Sequence, residues 1–569
     1  MNQDEPTAAA LRWEMDTKHS LRQRIAEALD RLSSKKKVNH GVYLAGVAVF
    51  FALILLPPIL GILINWNLMQ QVFVAPDLMS QALAAIQNSF IIALFVSAID
   101  IVTAIPLAWL IARKRARWIN ILDTLSDIPF IVPTVALGYS LLLFWNGVEG
   151  ISALFSGPLV SPGWVLIILL HFTFSYPVVV RVVVGALLDY KREYENAART
   201  LGAPPLTAAR TVTFPIIKTS LIAAFILAFS RSLSETGATQ MVAGLFENGS
   251  LFILRIQNTY VGATVFASSV LIAVAVLIFV IVRFLGPKLK LPVDRTWPSF
   301  DRKLSYVTAE RSRNSVTLVI FFAIVLLPSL FVALPAFESV VTPTLGQALS
   351  GTGIWTEYWQ GLILSYVVAT VATILNVVIG LPTAILVARR KFGKLPSGIL
   401  DLLVNIPLVV PSVALGFSLR IFWKQTFTFI PDLLLLVFAH MAITYPYFVR
   451  SMSAAVERIG MDLEEASRTL GAKPLGTFRT IIVPLTKYSI FSGAILMFTR
   501  SVSETGATTA VATQLRTAPV VLVDWVPRLG VQKIPATPLE IGLGCGLLIL
   551  LSFIILLALR IIVRGKGRY

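Results

Sequence analysis

Long apolar stretches recur along the whole chain, and the shorter segments between them hold most of the charged residues. Each stretch is long enough to cross the hydrocarbon core of a bilayer, which takes about 20 residues of helix. The first six lie near residues 43–66, 87–112, 121–146, 163–186, 215–236 and 264–286, and the others near 315–338, 360–388, 398–424, 432–454, 485–506 and 539–563. The pattern predicts an all-α polytopic membrane protein with about twelve transmembrane helices.

The amino-acid composition excludes an ordinary soluble protein. Hydrophobic residues make up 56% of the chain and charged residues only 14%, whereas soluble domains have about 25% charged residues. Disordered, collagen-like and coiled-coil proteins are also excluded, because each needs a polar, glycine-periodic or charge-rich sequence.

The basic residues indicate an orientation in the membrane. A net charge of +18 is compatible with nucleic-acid binding in a soluble protein, but here the basic runs precede the first apolar stretch, follow the last and fill alternate loops. Such loops are retained on the cytoplasmic side. We expect a multi-pass protein of the cytoplasmic (inner) cell membrane with both termini in the cytoplasm, embedded in the lipid bilayer and without a nucleic-acid partner.

The first 42 residues differ from a cleavable signal peptide. Leu21, Ile25, Leu29 and Leu32 recur at helical spacing among charged residues, and no compact apolar core precedes residue 43. We interpret residues 1–42 as a cytoplasmic amphipathic segment that lies on the membrane or on a partner.

The chain contains an internal repeat. ENAARTLGAPPLTAARTVTFPIIK at 195–218 aligns without gaps on EEASRTLGAKPLGTFRTIIVPLTK at 464–487, with 13 of 24 positions identical and residue numbers that differ by 269. RSLSETGAT at 231 and RSVSETGAT at 500 share that offset. Since each copy has six predicted helices and begins on the same side, the copies are parallel, related by an axis along the membrane normal, and a pathway should run between them.

The repeat divides the chain into four parts. Residues 43–287 and 315–569 form the two predicted transmembrane domains, and the basic segment 288–314, which contains LPVDRTWPSFDRK, forms a cytoplasmic linker between them. Residues 1–42 precede the first domain.

The repeated cytoplasmic segment has the features of a short capped helix. Acidic residues stand at its start and Arg199 near its end, which suits the helix dipole. Gly202 can adopt the left-handed cap conformation, and Pro205 prevents continuation. In the second copy Arg468, Gly471 and Pro474 repeat this pattern.

This segment resembles the "EAA" loop of ABC importer permeases, in which two small residues are followed by a glycine and later by a proline. The matching and neighbouring positions are Glu195, Asn196, Ala197, Ala198, Gly202 and Pro215 in the first copy, and Glu464, Glu465, Ala466, Ser467, Gly471 and Pro484 in the second. The resemblance implies that each loop helix docks in a groove on an ATP-hydrolysing subunit. Asn196 and Ser467 depart from the family pattern, so the two loops need not dock equally strongly.

The resemblance also implies the partners. The chain has no G-x-x-x-x-G-K-[ST] phosphate-binding loop, so two ATPase subunits would supply ATP and Mg²⁺, and an external substrate-binding protein would deliver the solute. We expect no cofactor, metal site or catalytic residue in this chain, because Cys545 is its only cysteine and its four histidines are scattered.

Ionisable and hydroxyl residues inside the apolar stretches are candidates for the pathway. They belong to the repeated R-S-x-S-E-T-G-A-T motif and are Arg231, Ser232, Ser234, Glu235 and Thr236, with their copies Arg500, Ser501, Ser503, Glu504 and Thr505. One interpretation is an internal ion pair between arginine and glutamate four residues apart. The other is that the hydroxyl groups line the pathway while Gly237 and Gly506 break the helix; both can hold together.

Two further repeated features have alternative interpretations. Pro129, Pro133 and Gly138, with Pro407, Pro411 and Gly416, should interrupt the third and ninth helices, as simple kinks or as a pathway-lining element. His171 and His440 are interpreted as hydrogen-bonded packing residues rather than as ligands.

The substrate is weakly encoded. ETGATQMVAG at 235 resembles a segment of molybdate and sulfate permeases, which favours a small oxyanion of the molybdate, tungstate or sulfate type. Fusion of two permeases in one chain instead favours ferric iron or thiamine. An ion-coupled secondary transporter is the alternative from another class, although it would not need duplicated EAA loops.

Overall fold

The computed structural model describes residues 28–114, 116–155, 157–288, 298–512, 514–527, 534 and 536–564. Within these ranges all regular secondary structure is helical, which confirms the all-α prediction. Residues 1–27 of the predicted amphipathic segment and 289–297 of the linker lie outside the described part.

Ten continuous helices are long and apolar enough to cross a membrane in the described part of the chain. They are Lys36–Ile64, Pro76–Arg113, Trp164–Asp189, Pro205–Ser234, Val261–Lys288, Val307–Val340, Ile354–Arg389, Asp432–Arg458, Pro474–Val502 and Pro538–Ala558. The predicted third and ninth helices are each a pair of helices joined at a break, and counting each pair as one span gives up to 12 spans.

Shorter helices connect or flank these spans. They are Glu193–Thr200, Gly237–Val242, Gly249–Ile256, Pro298–Leu304, Pro343–Ser350, Met461–Thr469, Gly506–Val511 and Ala518–Trp525.

The chain folds into two compact units. One comprises Met1–Ala52, Ile374–Val404 and Tyr447–Leu496, and the other comprises Leu53–Thr373, Asn405–Pro446 and Met497–Tyr569. Each unit therefore contains segments from both sequence repeats.

The larger unit is built around three mutually packed helices, Pro76–Arg113, Trp164–Asp189 and Phe214–Ser234. Aromatic side chains such as Phe174 and Tyr176 fill the space between helices with no exposed surface. Because lipid is as apolar as these side chains, close packing rather than exclusion of water holds such helices together.

A sharp bend divides the third predicted helix. Helices Arg117–Phe130 and Thr134–Leu154 meet at 102°, and Pro133 at the break cannot donate a backbone hydrogen bond. Arg181 fixes the first helix to its neighbour, because its Nε lies 2.5 Å from Asp127 Oδ1 and its Nη1 lies 2.7 Å from Asp123 Oδ1.

The predicted interruptions at Gly138 and Gly416 are wrong, since the helices run through both residues. These glycines instead permit close contact with a neighbouring helix. A Cβ atom added to Gly138 would lie 2.9 Å from Ala238 Cα, and one added to Gly416 would lie 2.8 Å from Ala507 Cα.

Candidate functional site

The cytoplasmic segment of each repeat contains a short helix, here termed a loop helix: Glu193–Thr200 in the first repeat and Met461–Thr469 in the second. A glycine with positive φ follows each helix, +91° at Gly202 and +89° at Gly471. This confirms the predicted left-handed caps. The caps turn the chain sharply towards the next membrane span.

The two prolines of the EAA-like pattern lie just after a widened helical turn. Pro215 follows the π-helical turn Ala209–Thr213, and Pro484 follows Phe478–Ile482. A π turn relaxes the hydrogen-bond ladder where the proline ring would otherwise collide with it. Each span therefore continues from the loop without a break.

The loop helices expose some of the residues that the resemblance assigns to docking, while Glu195 and Glu464 are buried and Ala198 is half-buried. Asn196, Ala197, Glu465 and Ala466 are exposed. Ser467 points inward instead, is buried, and has its hydroxyl 3.2 Å from that of Thr477. The serine that departs from the family pattern thus faces the interior of its loop rather than the docking surface.

An exposed leucine ends each loop helix, and the sequence analysis missed it. Leu201 and Leu470 are each 89% exposed. The sequence could have indicated these leucines, because both belong to the segment RTLGA, which is identical in the two repeats. Single exposed apolar residues are common on protein surfaces, but these two occupy the same position in both loops, which makes them candidates for contact with a partner.

Buried ion pairs join the loop helices to the preceding spans. Arg113 at the end of Pro76–Arg113 lies 2.9 Å from Glu195, and Arg389 at the end of Ile354–Arg389 lies 2.8 Å from Glu464. The four side chains are only 6–11% exposed. Sequence analysis predicted both glutamates as loop residues. It did not identify their arginine partners, because other basic residues follow the same spans.

Further hydrogen bonds join each loop to a segment that precedes a membrane span. The backbone N–H of Leu206 donates to Ser305 Oγ at 3.2 Å, and Arg210 Nη2 lies 2.8 Å from Asp301. In the other repeat Leu475 N–H donates to Ser33 Oγ at 3.3 Å. The serines belong to the related strings DRKLS at 301–305 and DRLS at 30–33, which sequence analysis did not connect to the loops.

The R-S-x-S-E-T-G-A-T motifs, here termed the SETG segments (231–239 and 500–508), form the ends of two long helices. The helices stop at Ser234 and Val502, and new short helices begin at Gly237 and Gly506. The long helices therefore end three residues before Gly237 and four residues before Gly506, and the glycines begin the next helices instead of forming the break.

The glutamates of the SETG segments explain where the new helices start. Glu235 Oε1 accepts a hydrogen bond from the N–H of Ala238 at 3.2 Å, and Glu504 Oε1 accepts one from Ala507 at 3.0 Å. A carboxylate at a helix N-terminus satisfies a free N–H group and opposes the positive end of the helix dipole.

The two SETG segments contact each other directly and reciprocally. A Cβ atom added to Gly237 would lie 2.0 Å from Thr505 Oγ1, and one added to Gly506 would lie 2.8 Å from Thr236 Oγ1. Thr236 is 2% and Thr505 is 4% exposed. The repeats therefore pack directly against each other at these four residues.

The arginines of the SETG segments differ between repeats. Arg500 Nη1 lies 2.6 Å from Glu504 Oε2 in a buried pair. Arg231 donates from Nε to the carbonyl of Phe174 at 3.0 Å, and its guanidinium lies 5.2 Å from the ring centre of Phe130. The predicted pair at four-residue spacing is thus seen in the second repeat, while Arg231 has other partners.

Each repeated histidine uses both ring nitrogens. His171 lies 2.8 Å from Ser232 Oγ and 2.9 Å from Thr239 Oγ1, and His440 lies 2.7 Å from Ser501 Oγ and 2.9 Å from Thr508 Oγ1. The packing interpretation of the histidines is confirmed. Ser232 and Ser501, which the sequence grouped with the pathway, are buried against these rings.

The remaining hydroxyl groups of the motif are more accessible. Ser234 and Ser503 are half-buried, and the carbonyl of Ser234 accepts a hydrogen bond from Ser412 Oγ at 3.0 Å. The structure therefore brings together Ser234, Thr236 and Thr505 with glycines of both repeats, and it separates Ser232 and Ser501 from them.

One known family matches both halves of the chain. The profile of the family described as "Binding-protein-dependent transport system inner membrane component" matches residues 104–291 and again 380–565, which together exceed half of the chain. The sulfate transport system permease protein CysT of Salmonella typhimurium is 34% identical over 245 residues, covering 41% of this chain and 87% of the relative.

Two further relatives have related names. The molybdate/tungstate transport system permease protein WtpB of Pyrococcus furiosus is 28% identical over 240 residues, 42% of this chain and 91% of the relative. The molybdenum transport system permease protein ModB of Escherichia coli is 34% identical over 163 residues, 26% of this chain and 70% of the relative. The chain belongs to the binding-protein-dependent inner-membrane transport family and is a multi-pass ABC importer permease that carries the family domain twice.

Proposed function

We propose that this chain forms the translocation path for a small oxyanion of the sulfate or molybdate/tungstate class. The names of its relatives support this substrate class. Hydroxyl groups suit such a solute, because they can donate hydrogen bonds to its oxygen atoms without binding it as tightly as unpaired cations would.

The reciprocal contact of the SETG segments carries the proposal. Thr236 of the first repeat packs against Gly506 of the second, and Thr505 of the second packs against Gly237 of the first. Ser234 and Ser503 are next to them in sequence and have partly accessible side chains. A path between parallel repeats must pass their mutual contact, so this contact is the closed point of the path. Arg500 is neutralised by Glu504 and serves to hold the segment in place.

The loop helices would transmit the closure of two ATPase subunits, each carrying ATP and Mg²⁺. Their exposed leucines, Leu201 and Leu470, are apolar enough to enter grooves on those subunits. The buried pairs Arg113–Glu195 and Arg389–Glu464 would pass the movement to the membrane spans. In this arrangement the loops and both termini face the cytoplasm of an inner membrane, and an external binding protein delivers the anion.

Reconstitution tests the proposed function. The chain, its ATPase subunits and its binding protein in liposomes should accumulate radiolabelled sulfate or molybdate only when ATP is present on the ATPase side. Uptake of ferric iron or thiamine, with no oxyanion uptake, would overturn the substrate assignment. Uptake without the ATPase would overturn the coupling assignment.

Docking through the leucines can be tested in the same system. L201D/L470D should lose ATPase binding and oxyanion uptake, because each aspartate would place an unpaired charge in an apolar groove. Leu349 provides a matched control, since it is 69% exposed but lies outside both loops, so L349D should leave uptake unchanged.

A further inference from the structure

A cavity of about 450 Å³ opens beside the first loop helix; we refer to it as the rim pocket. The apolar part of its lining, here termed the floor, includes Val102, Ile105, Trp109 and Phe214. Val102 is 70% exposed, so the floor continues onto the surface of the span that faces lipid.

The edge of the rim pocket is basic. It carries Arg113, Lys114, Arg192, Arg199 and Arg313 against the acids Glu195 and Glu310. Two of the cations are paired, because Arg113 lies 2.9 Å from Glu195 and Lys114 lies 3.3 Å from Glu310.

The other three basic residues that line the rim pocket are arginines. For Arg192, Arg199 and Arg313, the described part of the chain provides no ion pair and no side-chain hydrogen bond. Arginine side chains collected in this way without acidic partners form a binding site for phosphate groups.

The surroundings of the second loop lack this arrangement. Met461 occupies the position of Arg192, and Val42 occupies the position of Arg313 when LPP at 56–58 is aligned on LPS at 327–329. Arg468, which corresponds to Arg199, is 3.7 Å from Glu464. The extra positive charge is thus found beside the first loop and not beside the second, so the loop motif shared by the two repeats does not require it.

We propose that the rim pocket binds an anionic phospholipid, with its phosphate between Arg192, Arg199 and Arg313 and an acyl chain along Val102 and Ile105. The proposal rests on the proposed function only in placing the loops at the cytoplasmic membrane surface, where anionic lipid is available. Trp109 at the floor is typical of this interfacial depth. A free oxyanion would satisfy the arginines but would leave the apolar floor uncovered.

A bound lipid would connect two parts of the coupling apparatus. Arg192 and Arg199 belong to the first loop, whereas Arg313 belongs to the span Val307–Val340 that begins the second repeat. One phosphate bound to all three would fix the loop against that span. Transport-coupled ATP hydrolysis should therefore depend on anionic lipid.

Lipid retention tests the proposal. The full chain is exchanged into nanodiscs of phosphatidylcholine with increasing phosphatidylglycerol, and bound lipid is counted by native mass spectrometry after mild delipidation. R192M/R313V, which introduces the residues found at the matching positions beside the second loop, should bind phosphatidylglycerol about thirtyfold more weakly, since each cation at an anionic surface contributes about 1 kcal/mol. R192K/R313K should keep most of the affinity.

The control removes the same charge elsewhere. Arg458 and Lys473 are exposed residues near the second loop, and R458M/K473V should bind phosphatidylglycerol like the wild type. Equal retention by the wild type and R192M/R313V would overturn the proposal, as would displacement of the lipid by millimolar phosphate or molybdate alone, which would indicate a free-anion site. Lipid binding is measured without any transport assay. A negative result in this experiment can therefore be distinguished from a negative result in the oxyanion uptake experiment.

Discussion

At the residue scale, neighbouring positions of one loop have opposite roles. Glu195 is buried against Arg113, whereas Asn196 beside it is exposed. The sequence predicted both as loop residues but could not separate them, because a helix of 8 residues is too short for its periodicity to identify a buried face. The deciding partner, Arg113, lies 82 positions away.

A buried carboxyl group in the larger unit gives the first prediction. Asp100 has no exposed surface, and its side chain accepts a hydrogen bond from Ser175 Oγ. Asn376 occupies the aligned position six residues before the helix proline of the second repeat. We therefore expect D100N to keep oxyanion uptake and thermal stability, whereas D100A should lose about 1–3 kcal/mol of stability by leaving a cavity.

Uptake and unfolding temperature in detergent, measured side by side, check this expectation. If D100N folds normally but transports no oxyanion, the carboxyl group of Asp100 must exchange a proton during the transport cycle. The asparagine at position 376 would then not indicate what Asp100 does.

The second prediction concerns Lys391, which follows the span Ile354–Arg389. Burial lowers the pKa of Lys391 to about 8; Arg468 and Arg389 act in the same direction and Glu464 opposes them. Since the lowered pKa leaves more free amine near pH 8 than an ordinary lysine has, Lys391 should react with an amine-acylating reagent at pH 8 faster in the folded protein than in the urea-unfolded chain. Peptide mass spectrometry measures both rates, and a slower reaction in the folded state would contradict the lowered pKa.

The third prediction compares the two loops at their exposed position. Glu465 carries the family's acid, while Asn196 replaces it in the first repeat, and both are exposed. E465A should therefore weaken ATPase binding more than N196A, by the contribution of one charged hydrogen bond, about 1.5–3 kcal/mol. A pull-down titration with each variant checks this, and equal losses would show that the acid is not used in docking.

At the element scale, the sequence predicted the spans and the proline breaks but misassigned several glycines. Pro133 and Pro411 mark the observed breaks because proline acts locally on its own backbone. Gly138 and Gly416 allow a neighbouring helix to approach, and Gly237 and Gly506 begin new helices. Such roles depend on elements distant in sequence, so a local pattern does not reveal them.

The fourth prediction tests how firmly a loop helix is fixed to its span. R113M leaves Glu195 buried without its partner and should destabilise the local structure by about 3–5 kcal/mol, whereas R113M/E195M should recover much of that loss. Hydrogen exchange of residues 193–200 measures the change. K114M is the matched control, because the Lys114–Glu310 pair is about half exposed and should contribute under about 1 kcal/mol; similar exchange in R113M and K114M would refute the coupling role of the buried pair.

At the scale of the whole molecule, the repeat is the feature that sequence analysis predicts best, since duplicated motifs must occupy related positions. It indicated that the SETG segments belong to the same path, and the structure shows them in contact. It could not show which atoms meet, because that depends on how closely two helix ends approach. The contact at Thr236 and Thr505 leaves no room for any side chain on Gly237 or Gly506.

The last prediction follows from this missing space. In G237A the new methyl group would overlap Thr505, which lies 2.0 Å from its position, so the two segments must separate even though alanine suits a helix better than glycine by about 1 kcal/mol. In a background lacking Cys545, cysteines at Ser234 and Ser503 should then react with small aqueous thiol reagents in the resting state, whereas without G237A they should react in only one state of the ATPase cycle. Gly185 lies in a helix with no atom near its Cβ position, so G185A should leave the labelling unchanged. If G237A behaves like G185A, the contact between the segments is not the point at which the path closes.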